Sequence, residues 1–381
     1  MKLLDVCEMI VDCPHSTAKD EGKGYPLIRT PNIGRGRLKL EGVHRVSAEI
    51  YDKRNERAVP QENDLILARE APVGNVAIIK HGQEVCLGQR TVLIRPNQDI
   101  ADPDYLVYYL LSPKKQHALL SASNGATVSH LNMSAIRALE VELPEIEIQR
   151  KIGKILAGFD DKIELNKRIN KNLHQQAEAV FNKYYELSTE QMLFTSVISV
   201  LGGGTPKTDN PDFWDGQIPF FTPKDVGAPY TFQTEKYITE TGLEHCNSRL
   251  YPKNTSFVTA RGTVGKVSLA GKPMAMNQSC YALSSETIDP LLVYFYVLKA
   301  VSSLKHKASG AVFDAIVTRD FDTETISILD CDSSQIVLST ITPIMDAIHN
   351  NAEESIRLVS LRDSLLPKLM SNELDVSELD L

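Results

Sequence analysis

The sequence predicts an α+β protein: two similar mixed α/β domains separated by a long antiparallel two-helix coiled coil, with pseudo-twofold symmetry. Two observations carry that expectation. One set of strand, turn and helix patterns occurs twice in the same order, about half a chain apart. Each set is then followed by a long run of apolar residues at helical spacing. The divisions read from these patterns are 1–145 and 187–332 for the domains, 146–186 and 333–372 for the helices, and 373–381 for an acidic tail. A length of 381 residues suits two domains.

The repeat is specific in its order. Asp64 to Arg69 followed by Pro72-Val73-Gly74-Asn75-Val76 answers Thr255 to Arg261 followed by Thr263-Val264-Gly265-Lys266-Val267. Both read as an apolar strand ending in Ala-Arg, a short turn, and a second strand. Leu87-Gly88-Gln89 answers Met276-Asn277-Gln278, each leading into a strand pattern. Pro103 to Tyr109 answers Pro290 to Tyr296, aromatic-rich helices opened by a proline that suits a first turn. Ser123 to Ala126 answers Ala308 to Ala311, and alternating strands at Glu140–Leu143 and Thr325–Leu329 close each set.

From Glu147 the apolar positions Ile148, Ile152, Ile155, Leu156, Phe159, Ile163, Ile169, Leu173, Ala177 and Val180 fall at helical spacing, by threes and fours. No glycine or proline after Gly158 interrupts this run, so about 35 residues of helix spanning roughly 50 Å are expected. The second helix is expected from near Gln335 through Leu338, Ile341, Met345, Ile348, Leu365 and Leu369, with Pro343 beginning or bending it. Asn166 and Asn351 occupy matching places, where a buried asparagine fixes register and an exposed one does nothing.

Composition narrows the class. A hydrophobic fraction of 42% with 24% charged residues belongs to a chain with proper cores. No apolar run reaches the roughly 18 residues of a membrane span. Met1 to Asp5 breaks into charge too early for a secretion signal, so the cytoplasm is the expected location. The six scattered cysteines form no C-x-x-C pair and are expected as reduced thiols. No histidine stands at metal-ligand spacing from a second histidine or cysteine, and no metal site is expected.

The stretch Gly202 to Lys207, with Asn210-Pro211-Asp212-Phe213-Trp214 and Ile218 to Asp225, resembles the opening of a target recognition domain in the specificity subunits of type I restriction-modification enzymes. Leu143-Pro144, Gln149, Ile152, Ile155-Leu156, Asp161-Lys162-Ile163 and Asn166 are similar to the central conserved region of that family. Leu361 to Ser371 is similar to its distal one, with Asn372 where glycine is common. Ile28 to Gly34 and Gly88 to Thr91 resemble another version of the same domain. The resemblance implies a non-catalytic subunit whose two domains each read half of a split, asymmetric target in double-stranded DNA. It implies helices that set the gap and dock two modification subunits, which bind S-adenosylmethionine, and restriction subunits beside them. No cofactor is implied in this chain.

Reading bases needs Arg, Lys, Asn or Gln on loops above a rigid scaffold. The candidates are Arg29, Thr30, Asn32, Arg35, Arg37, Arg69, Gln89 and Arg90 in the first domain. In the second they are Lys207, Thr222, Lys224, Arg261, Asn277 and Gln278. A net charge of −8 disfavours tight non-specific binding, yet Lys23 to Arg57 is locally basic. Arg69 and Arg261, duplicated after a strand, serve equally well as structural ion-pair partners. Two alternatives stand beside the adaptor. One is a self-contained adenine methyltransferase, suggested by Asn210 to Phe213 and opposed by Gly202 to Gly204 leading to Thr205-Pro206 rather than a helix. The other is a coiled-coil scaffold that no longer reads DNA.

Overall fold

A computed structural model describes residues 1–123, 130–227, 229–307 and 315–379. They form two compact units, Met1–Glu164 with Ile356–Leu381, and Leu165–Ser355, so each unit takes part of both long helices. The paired motifs Ser123 to Ala126 and Ala308 to Ala311 fall almost wholly outside the described residues.

In the first unit a five-stranded sheet runs in the order Cys7–Asp12, Thr91–Pro96, Leu65–Ala68, Val76–Ile78 and Gly36–Arg37. Neighbours are antiparallel except the last, which joins in parallel. Leu65–Ala68 is buried at every residue, as a central strand covered on both faces must be. A smaller sheet holds Arg45–Val46, Tyr25–Ile28 and Cys86–Leu87. The helix Pro103–Leu111 is capped by Asp102, whose carboxylate accepts from Tyr105 N at 2.8 Å. Pro113 holds Ser112 at ψ 151°, outside helical geometry, so a separate helix Pro113–Ser121 starts there.

The second unit repeats this backbone. Its main sheet runs Ser199–Gly202, Cys280–Ser284, Ser256–Thr259, Val267–Ala270 and Tyr230–Thr231, and a smaller one holds Lys236–Ile238, Trp214–Phe221 and Ala275–Met276. Its helix Pro290–Lys307 is continuous, because Ala300 stands where the first unit has Pro113. The same tyrosine braces each unit: Tyr109 Oη accepts from Glu142 N at 2.8 Å, and Tyr296 Oη from Leu329 N at 3.0 Å. All six cysteines are free thiols, and burial pushes Cys86 up to about 11 and Cys280 to about 12.

The long helices are Ile146–Leu187 and Cys331–Met370, the second starting before Gln335 and running through Pro343 without a break. Within each unit they run antiparallel. In the first, Ile152 and Leu156 share a core with Leu366 and Leu369. In the second, Asn170 donates to Ile348 O at 3.1 Å, and Asn166, 1% exposed, donates to Glu354 Oε2 at 2.7 Å. Of the expected seam, Ile152, Ile163, Ile341, Met345, Ile348 and Leu369 are buried, whereas Ile155, Phe159, Leu173, Leu338 and Leu365 are half-buried. Val337 and Leu366 take the deeper places beside Leu338 and Leu365.

The first unit closes around one buried polar knot. Asp160 Oδ1 accepts from Arg362 Nη1 and its Oδ2 from the Tyr108 hydroxyl at 2.6 Å. Arg37 reaches the Tyr108 hydroxyl at 3.4 Å and also binds Asp161 at 2.8 Å and Ala157 O at 3.3 Å. Gly36, at φ 97°, lies so close that a Cβ there would sit 2.6 Å from Asp160 Oδ2. Burial, then the charge of Asp160, pushes the Tyr108 hydroxyl far up, so it stays a donor. In the second unit Tyr230 holds the place of Arg37 in the edge strand, and Phe295 that of Tyr108. Met345 and Ala177 lie as far along their helices as Asp160 and Arg362 do along theirs. All four are buried, so four matching positions hold an ionic set in one copy and an uncharged set in the other.

Asp160→Ala leaves Arg362 only its exposed partner Asp363 and removes the acceptor of the Tyr108 hydroxyl, and a loss of about 3–5 kcal/mol is expected in urea unfolding of the chain. Installing the second unit's set (Arg37→Tyr, Tyr108→Phe, Asp160→Met and Arg362→Ala) should recover most of that loss, because an apolar replacement leaves no charge unpaired.

Candidate nucleic-acid interface

Strand register decides which loops meet. In the first unit Ala68 faces Thr91 and Asp12 faces Val92, so the loops 13–16, 69–75 and 88–90 leave from one end of the main sheet. Ile28 faces Leu87 in parallel and Gly88 N donates to Ile28 O at 2.7 Å, which brings the segment after Ile28 to the same end. In the second unit Thr259 faces Cys280, Gly202 faces Tyr281 and Phe221 faces Met276. Loops 203–207, 222–224, 260–266 and 277–279 therefore meet, and Thr263 Oγ1 donates to Pro223 O at 3.1 Å between two of them. Arg29, Arg69, Gln89 and Arg90 share the first loop cluster, and all six second-unit candidates share the other. Arg37 lies in the edge strand instead, and Arg35 just before it.

The duplicated Ala-Arg pair is not a structural duplication. Arg69 N donates to Arg90 O and Arg69 O accepts from Leu131 N; the same two bonds in the second unit belong to Ala260, with Ser279 O and Ile316 N. Arg69 thus corresponds to Ala260, and Arg261 to Glu70. Successive residues of an extended chain point to opposite sides, so this one-residue offset turns Arg69 inward and Arg261 outward. The Thr-Pro pairs are offset likewise. Arg29 N donates to Asn32 Oδ1 at 3.1 Å and Thr222 N to Asp225 Oδ2 at 2.8 Å, which matches Arg29 with Thr222.

Several candidates are spent inside the fold. Arg69, 6% exposed, donates from Nε to Leu131 O at 2.8 Å, from Nη1 to Asp12 Oδ1 at 2.6 Å, and from Nη2 to His130 Nε2 at 2.7 Å. A guanidinium only donates, so His130 must accept at Nε2 and carry its proton on Nδ1, which lies 2.6 Å from Glu70 Oε1. Glu70 Oε2 then holds Arg90 Nε at 2.8 Å. His130 read as an isolated histidine because its partners are distant in sequence. Thr30 and Asn32 are buried, and Arg37 belongs to the knot. The basic stretch is not one cationic loop: Arg45, Arg54 and Arg57 donate to carbonyls of Gly24, Leu87 and Asp12 at 2.6, 2.6 and 3.4 Å. Thr222 and Asn277 tie their own turns, to Asp225 and Ser279 N.

What faces outward is a shorter set. Arg35, Lys207, Lys224, Arg261 and Gln278 are exposed, although Lys224 pairs loosely with Glu235 at 3.5 Å and Gln278 accepts from the Thr205 hydroxyl. Arg29 is half-buried with an unpartnered Nε, Arg90 is 57% exposed, and Gln89 donates to His15 O at 3.3 Å. The methyltransferase-like features have other uses. A Cβ on Gly203 would sit 2.2 Å from Asn277 O, so glycine is needed for close packing of two loops. Asn210 caps Asp212 N at 3.1 Å, and Phe213 is buried against His245. Among the described residues no group of three or more His, Cys, Asp or Glu could hold a metal ion, and no helix is long and apolar enough to cross a membrane.

A family model described as the type I restriction modification DNA specificity domain matches residues 1–175 and again 190–358. The chain belongs to that family. It is 23% identical to the specificity subunit of the type I restriction enzyme MjaIX of Methanocaldococcus jannaschii, covering 97% of this chain and 88% of the relative. It is 22% identical to the HindI specificity subunit of Haemophilus influenzae, covering 74% and 80%. A crystal structure of the S subunit of a type I restriction-modification system from M. genitalium has the same fold, with a TM-score of 0.58 at 12% identity over 97% of this chain and 95% of that one. The two specificity-domain matches coincide with the two repeats, each containing one loop cluster.

The offset between the arginines separates their expected behaviour. Arg69→Ala should destabilise the first specificity domain by about 2–4 kcal/mol, since buried charged hydrogen bonds are lost. Arg261→Ala should stay within about 0.5 kcal/mol of the parent. Thermal unfolding of the two variants compares them directly.

Proposed function

We propose that this chain is the sequence-specific DNA-binding specificity subunit of a type I restriction-modification complex and catalyses nothing itself. The observation that carries the reading is the double match to the DNA specificity domain, laid over two copies of one sheet that each gather four loops at one end. The loops differ in chemistry at corresponding places, Arg29 against Thr222 and Glu70 against Arg261, which supports two unlike half-sites and hence an asymmetric bipartite target. Two modification subunits carry the S-adenosylmethionine and methylate adenine, and restriction subunits complete the complex in the cytoplasm. The exposed set Arg35, Arg90, Lys207, Lys224, Arg261 and Gln278, with the half-buried Arg29 and Gln89, makes the DNA contacts, base edges and phosphates together.

Methylome sequencing of cells expressing the chain with its modification partner should show adenine methylation at a split motif. Calorimetry of the isolated chain should show no binding of S-adenosylmethionine. Binding there would favour a self-contained methyltransferase, and absence of any motif would favour a scaffold.

A further inference from the structure

We propose that Arg90 reads a guanine in the half-site of the first domain, and that Glu70, His130, Arg69 and Asp12 are positioning residues that aim it. The proposal rests on the DNA-reading function above and adds a residue, a base and a support.

The five side chains form one continuous series: Asp12 to Arg69 at 2.6 Å, Arg69 to His130 at 2.7 Å, His130 to Glu70 at 2.6 Å, and Glu70 to Arg90 at 2.8 Å. Arg69 and Glu70 are its most buried members, with side chains 7% and 15% exposed, and Arg90 at its end is the most exposed at 57%. Arg69 can only donate, so His130 accepts at Nε2 and turns Nδ1 to Glu70. Arg90 itself sits at φ 66°, a left-handed conformation uncommon outside glycine, with its carbonyl held by Arg69 N. Its Nε lies 2.8 Å from Glu70 Oε2 in an ion pair. The two terminal nitrogens have no partner among the described residues, and that pair is the fork that spans O6 and N7 of guanine in the major groove.

The second copy shows that the fold does not require this series. By backbone register Gly202, Ala260, Arg261, Ser279 and Ala315 stand where Asp12, Arg69, Glu70, Arg90 and His130 stand. The whole series is replaced together while the strands and loops keep their courses. Side chains that change as a set on a constant scaffold, at the end where the loops meet, serve what the loops contact. The exposed arginine has moved to the neighbouring loop, from position 90 in one copy to 261 in the other.

The test uses the chain with its modification partner and reads the methylated motif. Arg90→Lys and Arg90→Ala should lower discrimination at one guanine position by about 10- to 100-fold, making that position degenerate in one half-site only. Glu70→Gln should relax the same position more weakly, with the melting temperature unchanged. Arg261→Ala should leave that half-site intact and alter the other. An unchanged motif in both Arg90 variants, or an equal loss at every position as a phosphate contact would give, overturns the proposal. A parent chain that marks no split motif overturns the underlying DNA-reading function instead.

Discussion

The Asp160 carboxylate is the joint on which the first unit turns. It binds Arg362 of one long helix from its place on the other, and it takes the hydroxyl of Tyr108 from the helix that backs the sheet. Arg37 of the edge strand closes the same knot on Tyr108 and Asp161. Four elements distant in sequence thus share one small polar cluster, and a shift of any one breaks a hydrogen bond within it. The second unit solves the same packing problem with Tyr230, Phe295, Met345 and Ala177. An uncharged set tolerates adjustment that a fixed set of donors and acceptors does not, so the ionic version holds its four elements to a narrower geometry.

The same principle, one backbone with two chemistries, governs the loop clusters. Register sets where the loops go, through hydrogen bonds that depend little on side-chain identity. What projects from the loops is then free to differ, as Glu70 against Arg261 and Arg90 against Ser279 illustrate. A scaffold built twice and decorated differently suits a reader of two unlike sequences.

Much of the architecture was legible because it rests on periodicity. Pro103 and Pro290 opened helices as expected, and the threes and fours after Glu147 marked a long helix with a buried stripe. The stripe was off by one at Leu338 and Leu365, since Val337 and Leu366 lie deeper. Residues adjacent on a helix are about 100° apart, and which one faces inward depends on how the partner helix is rotated. Asn166 was ambiguous for the same reason: burial beside Glu354 comes from the other helix, not from its own neighbours.

Taken alone, the sequence determined the duplication, the two long helices, the class of fold and the family, because these live in patterns that repeat along the chain. It could not determine which candidates face outward. Arg69 and Arg261 read as the same residue until backbone pairing separated them by one position, and in an extended chain one position is the difference between core and surface. Nor could it join Asp12, Arg69, His130, Glu70 and Arg90, or Arg37, Tyr108, Asp160 and Arg362. Hydrogen bonds act over about 3 Å in space and are blind to separation in sequence. Only the folded chain brings such groups within that distance.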